Sequence, residues 1–143
     1  MISGEVREDG ARVGFTLEDI ASSIPGILAH VNIRQGPRIG KYGVNLTDIS
    51  RVGVSAIVNA LSNADVVVID EIGPMELCST VFVDSVTSAL RSTKPLIGTI
   101  HHNTSHPIVR SIKTSRFCEI LEVTTTNRDQ LPYLIQGKLE GAH

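Results

Sequence analysis

The stretch Val66-Val67-Val68-Ile69-Asp70-Glu71 sets four β-branched apolar residues ahead of two adjacent carboxylates. Such a run forms a strand that can be buried on both faces, as the strands of parallel sheets are. It ends where an open α/β sheet puts its ligand site, outside the carboxyl ends of its strands. One carboxylate there can hold a Mg²⁺ that bridges the phosphates of a nucleotide, and a second can orient an attacking water. This is the form of a Walker B element. The Gly-rich partner that cradles phosphates, Gly-x-x-x-x-Gly-Lys-Ser/Thr, occurs nowhere in the 143 residues. A solvated strand end with a helix-capping carboxylate is the competing reading, and the residues by themselves leave the two open.

Working outward from this strand, residues 3–17 read as a β-hairpin. Glu5 to Glu8 and Val13 to Leu17 flank Asp9-Gly10, a dipeptide favoured in tight turns. Residues 27–31 and 44–46 are shorter strand candidates, separated by a loop rich in Gly and Pro. Thr47 or Asp48 is expected to cap a helix through Asn63 with Ile49, Val52, Ala56 and Ala60 on its apolar stripe. After the central strand come a turn at Gly73-Pro74, a helix capped by Ser79 or Thr80, and a strand over 96–100. A short helix from Pro107, a strand over 118–123 and a helical stretch opened by Asn127 complete the chain, with Pro132 near the first turn of the last helix. Alternation of strand and helix from residue 44 onward predicts right-handed crossovers and a mainly parallel sheet. The β-rich opening reads as an antiparallel pair at one edge.

Composition narrows the class. One domain is the natural count at this length. With no Trp, three Phe and two Tyr, the core must be built from Val, Ile, Leu and Ala. A formal net charge of −2, from 13 basic and 15 acidic residues, gives no electrostatic case for a nucleic-acid or anionic-membrane partner. No apolar run approaches the length of a membrane span, and Cys78 and Cys118 are too few for a disulfide framework. A reduced, cytoplasmic setting is the expectation.

Six motifs occur in a fixed order: Gly4-Glu5-Val6-Arg7-Glu8 with Gly14-Phe15, then Gly40-Lys41-Tyr42, then Ile69 to Leu77, then Gly98-Thr99-Ile100-His101, then Asn127-Arg128-Asp129. Each alone is weak, but the ordered set resembles the small P-loop nucleoside-triphosphatases of the THEP type, also called cancer-related NTPases. The resemblance runs from about Ser3 to about Leu134. It implies a three-layer α/β fold of RecA-like P-loop type that hydrolyses nucleoside triphosphates to diphosphate and phosphate, with Mg²⁺ and little base preference. Carried over residue by residue, it implies that Asp70 acts on Mg²⁺ and that Glu71 polarises the attacking water. Lys41, Asn127 and Arg128 become nucleotide-binding candidates. For Lys41 a solvated loop remains open beside a phosphate contact, and for Asn127 and Arg128 helix capping remains open beside a base contact. Glu76 is a supporting carboxylate or a solvated one. Arg34 and Arg7 read as surface cations, and Arg38 shares the loop of Lys41. His102 and His106 have the i,i+4 spacing of helical zinc ligands, but no Cys or carboxylate accompanies them. His101 follows a strand end and is a candidate for sensing the terminal phosphate.

The resemblance also marks a departure. Family members begin with a strand, a Gly-rich loop and a helix, none of which appears in these residues. The expectation is therefore a single, N-terminally incomplete P-loop NTPase-like domain over 1–143. Its first segment would be lost through a late start, a cut boundary or a split gene. The alternative is a non-catalytic remnant acting as a binding or regulatory module. Losing three charge-assisted hydrogen bonds from the phosphate cradle would cost about 5–9 kcal/mol, or roughly 10³–10⁶ in affinity. The missing strand is expected between 96–100 and 118–123. The isolated chain is thus expected to be loosely packed, a homo-oligomer, or bound to a complementing chain that supplies the strand.

Overall fold

The computed structural model describes Met1–Gly141 and forms two compact units, Met1–Val109 and the residues from Arg110 onward. In the first unit, β1 (Ile2–Glu8) and β2 (Ala11–Asp19) form the expected hairpin. Its turn places Asp9 at φ 49° and Gly10 at φ 78°, the paired positive values that a two-residue turn of right-twisted strands requires. The hairpin does not stand alone. β3 (Ile24–His30), β5 (Tyr42–Val44) and β4 (Arg38–Ile39) extend it into a five-stranded antiparallel sheet in the order β1-β2-β3-β5-β4.

The chain then turns helical. Leu46–Asp48 (α1), a π-helical segment Ile49–Val54 and Ser55–Asn63 (α2) run on without a break. Neither expected residue caps this stretch: Asn45 does, its side chain accepting from the Asp48 amide at 3.1 Å. Asp48 instead accepts from the Ile27 amide at 2.8 Å and from Arg51 at 3.1 Å, which ties the helix start to β3. Lys94 donates to the carbonyls of Ala60 and Ala64, satisfying the C-terminal end of α2.

β6 (Val67–Ile72) and β7 (Leu96–Ile100) form a two-stranded parallel sheet, connected by α3 (Thr80–Arg91). Ser79 caps α3 by accepting from the Phe82 amide at 3.2 Å. α2 and α3 pack against each other, and α2 packs on β6. Ile57, Val67, Ile69, Ile72, Phe82 and Val86 are fully buried, so the core is aliphatic around one ring.

Two expectations are corrected. Most strands of the described residues are antiparallel, and only β6 and β7 run parallel, because 24–30 pairs with β2 of the hairpin and 42–44 pairs with 24–30, neither with the central strand. Residues 118–123 are not a strand. An apolar, extended sequence becomes a strand only when a neighbour takes its backbone hydrogen bonds, and among the described residues no strand pairing includes this segment. Ile120 and Val123 are exposed there. The second unit holds the end of α4 (Pro107–Thr114), this irregular stretch and α5 (Leu131–Gly141), with Pro132 at the second helical position. Glu119 and Lys138 form an ion pair within that unit at 2.8 Å. Among the described residues, no helix is long and apolar enough to cross a membrane.

Candidate active site

The pairing of β6 with β7 is regular through Ile69↔Gly98 and resumes at Ile72↔Ile100. Between these rungs two residues, Asp70 and Glu71, oppose the single residue Thr99. This is a β-bulge, a device that re-aims side chains at a strand end. The Asp70–Glu71 peptide is cis. Asp70 Oδ1 accepts a hydrogen bond from Thr99 Oγ1 at 2.7 Å, which fixes that carboxylate across the two strands. The start of the antiparallel sheet is fastened to the same strand: the Met1 amine donates to the Val68 carbonyl at 2.9 Å, and the Asp70 amide donates to the Met1 carbonyl at 3.1 Å.

That fastening brings the hairpin beside Glu71. A cavity of about 430 Å³ opens between them. Glu71, Glu76, Met75 and His101 line it together with Glu5, Arg12 and Phe15 of the hairpin. Beneath Glu71 the chain turns at Gly73. A Cβ on Gly73 would run into the Glu71 carboxylate and would lie 2.9 Å from Glu76 Oε2. Glycine is therefore required for the two carboxyl groups to converge on one stretch of backbone.

Glu76 is almost fully buried, at 3% exposure, and its Oε2 accepts from the Gly73 amide at 3.1 Å. Burial pushes its carboxyl up to about 7; the neighbouring negative charges of Glu71 and Asp70 push the same way, and backbone N–H donors oppose them. A carboxyl whose folded value lies above its unfolded value of 4.5 stabilises the fold below pH 4.5. That contribution is lost as pH rises through about 7. At ~1.4 kcal/mol per unit, the difference across this window is about 3 kcal/mol. Glu76→Gln keeps the side chain neutral at every pH. In urea melts it is expected to match the parent near pH 4.5 and to exceed it by up to about 3 kcal/mol at pH 8. Identical pH slopes in the two proteins would show that Glu76 ionises freely in the folded state.

The remaining candidates have contacts of their own. Lys41 is exposed in the β4–β5 turn, with Nζ 5.5 Å from the centre of the Tyr42 ring, and is not among the residues lining the Glu71 cavity. Arg38 donates to the carbonyls of Ile33 and Lys41, bracing the loop rather than facing a ligand. Arg7 pairs with Glu5 at 2.9 Å on the exposed hairpin. Asn127 and Arg128 belong to the second unit. There Asn127 accepts from the Thr124 amide at 2.7 Å and donates to the Glu122 carbonyl at 2.8 Å, while Arg128 sits 3.8 Å from Asp129. His101 and His106 each use Nδ1 to accept a nearby backbone N–H.

Sequence reasoning assigned no part to Thr99, Arg12 or Phe15. For Thr99 a signal was present: it lies one residue before the end of the strand that must neighbour β6. For Arg12 and Phe15 there was none, since only the three-dimensional attachment of the hairpin to β6 brings them to Glu71.

The donor set at the end of β6 suits a hard divalent cation. Mg²⁺ is held through one or two carboxylates together with water and substrate phosphates, and needs no all-protein cage. Among the described residues no cluster of three or more His, Cys, Asp or Glu forms such a cage. The Thr99 hydroxyl occupies one acceptor position of Asp70 Oδ1, and a carboxylate has others.

A family model described as NTPase matches residues 1–136. The chain is 46% identical over 136 residues to the nucleoside-triphosphatase THEP1 of Methanosarcina acetivorans, covering 95% of this chain and 75% of that protein. It is 47% identical over 133 residues to the nucleoside-triphosphatase THEP1 of Thermofilum pendens, covering 92% and 73%. Among solved structures it resembles the crystal structure of THEP1 from the hyperthermophile Aquifex aeolicus, with a TM-score of 0.88 and 28% identity over 97% of this chain and 81% of that one.

Proposed function

Since the chain belongs to the NTPase family of nucleoside-triphosphatases, we propose that the end of β6 serves hydrolysis of a nucleoside triphosphate to the diphosphate and phosphate. One observation carries this reading. The bulge sets Asp70 against Thr99 and puts Glu71 on the wall of a cavity roomy enough for the phosphate end of a nucleotide. The P-loop NTPase architecture of RecA-like type belongs to the same proposal.

Asp70 is the residue that would hold Mg²⁺, directly or through water. The bound ion would neutralise charge on the phosphate oxygens. The Thr99 hydrogen bond fixes the Asp70 carboxylate before any ligand arrives, so less ordering is left to binding. Glu71 accepts a hydrogen bond from the attacking water and draws its proton as the bond from water oxygen to the terminal phosphorus forms and the bond from that phosphorus to the bridging oxygen breaks, the bridging oxygen leaving with the nucleoside diphosphate. Gly73 lets the Glu71 carboxylate lie close against the backbone. Met75, Pro74 and Phe15 supply an apolar lining that limits bulk water around the reacting atoms.

Asp70→Asn tests the cation assignment. It keeps the size of the side chain and an acceptor for Thr99 while removing the charge. In the chain extended ahead of Met1 by a Gly-rich phosphate loop, nucleotide binding, followed by isothermal titration with and without Mg²⁺, is expected to lose most of its Mg²⁺ dependence. An unchanged dependence would move the cation to another residue.

A further inference from the structure

The cavity beside Glu71 has an unusual charge balance for a site that receives a polyphosphate. Three carboxylic side chains line it, Glu5, Glu71 and Glu76. Arg12 is the one Lys or Arg among its lining residues, and His101 is the one His. A ligand carrying several negative charges meets repulsion from that wall unless a cation intervenes.

Arg12 is built into place. Its Nη1 donates to Glu5 Oε1 at 2.9 Å and its Nε to the Tyr42 hydroxyl at 3.4 Å, while the Tyr42 hydroxyl in turn donates to the Arg12 carbonyl at 3.3 Å. The guanidinium carbon lies 5.3 Å from the centre of the Phe15 ring, and Phe15 packs edge-on against Tyr42 at 5.0 Å. Strand pairing places these groups together: Phe15 opposes Glu5 across the β1–β2 hairpin. A guanidinium supported by a carboxylate, a phenol and a ring loses little side-chain freedom when it binds. These contacts engage Nε and Nη1, and Nη2 has no partner among the described residues.

We propose that Arg12 is a substrate-binding cation of this site, donating from its guanidinium to the terminal phosphates of the bound nucleotide. The assignment rests on the hydrolysis reading for the identity of the nucleotide, but the phosphate contact itself stands on the cavity. It gives the antiparallel sheet a role, that of carrying a positive charge to the cavity that Glu71 also lines. It also separates Arg12 from Arg7, which shares Glu5 but bonds the Gly10 carbonyl and does not line the cavity.

The probe is methylenediphosphonate, a diphosphate that cannot be hydrolysed, titrated into the ¹⁵N-labelled 143-residue chain at low salt and followed by NMR. Hydrolysis does not enter the readout, so this test and the hydrolysis reading fail separately. The expected result is a saturable shift of the Arg12 Nε–H signal together with the amides of Ser3 and Gly4. Arg12→Ala is expected to raise the dissociation constant about tenfold or more, from loss of a charge-assisted donor pair. Arg12→Lys keeps the charge but not the fork, and is expected to fall between the two. If Arg12→Ala does not keep the parent's dispersed spectrum, Arg12→Lys alone gives the comparison. An unmoved Arg12 Nε–H, or a dissociation constant unchanged in the folded variant, overturns the proposal and returns Arg12 to a surface ion pair.

Discussion

Glu71→Gln, introduced into this chain with a Gly-rich phosphate loop fused ahead of Met1, is expected to lower turnover about 10²–10⁴-fold, the range for loss of a positioned base. Nucleotide affinity should stay close to that of the parent. The split follows from where Glu71 sits. It lines the cavity, and among the described residues its carboxylate makes no ion pair or hydrogen bond that organises the fold. Its carboxylate gains its partner, the attacking water, only as the reaction proceeds. An interaction made in the transition state and not in the ground state shows in kcat rather than in binding. Gln is nearly isosteric, so the close approach over Gly73 is preserved and the loss is chemical rather than steric. Steady-state phosphate release against nucleotide concentration reads both parameters. Retention of most of the turnover would mean that another group positions the water, and Glu76 and His101 are the titratable neighbours on the same wall.

The parts of the site that were legible in the sequence are those written in local order. Four β-branched residues before Asp70 specify a buried strand, and β6 forms there. Asp9-Gly10 specifies the hairpin through its two positive φ values, and Ser79 specifies the start of α3 through an orphan amide it can satisfy. What could not be read depends on partners distant in the chain. Residues 24–30 pair with β2 and 42–44 with β3, a choice fixed by which faces are buried together rather than by local propensity. The same limit made 118–123 look like a strand. Its composition suits one, but pairing is not a property of the segment. Asn127 illustrates the converse: its side chain is spent on a turn between Glu122 and Thr124, a role that its sequence position left open. Arg12 became visible only once Met1 was seen hydrogen-bonded along β6, which carries the hairpin to the carboxylates.

The 143-residue chain by itself is expected to release phosphate from Mg-ATP or Mg-GTP at a rate near background. Phosphate recognition in P-loop NTPases comes from backbone N–H groups and a Lys in a Gly-rich loop, and Gly-x-x-x-x-Gly-Lys-Ser/Thr does not occur in these residues. What the cavity offers in its place is Arg12, faced by Glu5, Glu71 and Glu76. Three charge-assisted bonds of such a loop provide about 5–9 kcal/mol, and Arg12 is present with or without them, so affinity should sit roughly 10³–10⁶ below that of a chain with the loop. Turnover would then stay near background at ordinary nucleotide concentrations even with Asp70 and Glu71 in place. The comparison that isolates this cause is the same chain with a segment carrying Gly-x-x-x-x-Gly-Lys-Ser/Thr joined ahead of Met1. Phosphate release should rise with the segment present, and Glu71→Gln should abolish the gain. Turnover by the unextended chain at ordinary enzyme rates, about 1–10³ s⁻¹, and lost on Glu71→Gln, would show instead that some other element of these residues cradles the phosphates. Arg12→Ala in that active chain would then ask whether the hairpin is that element.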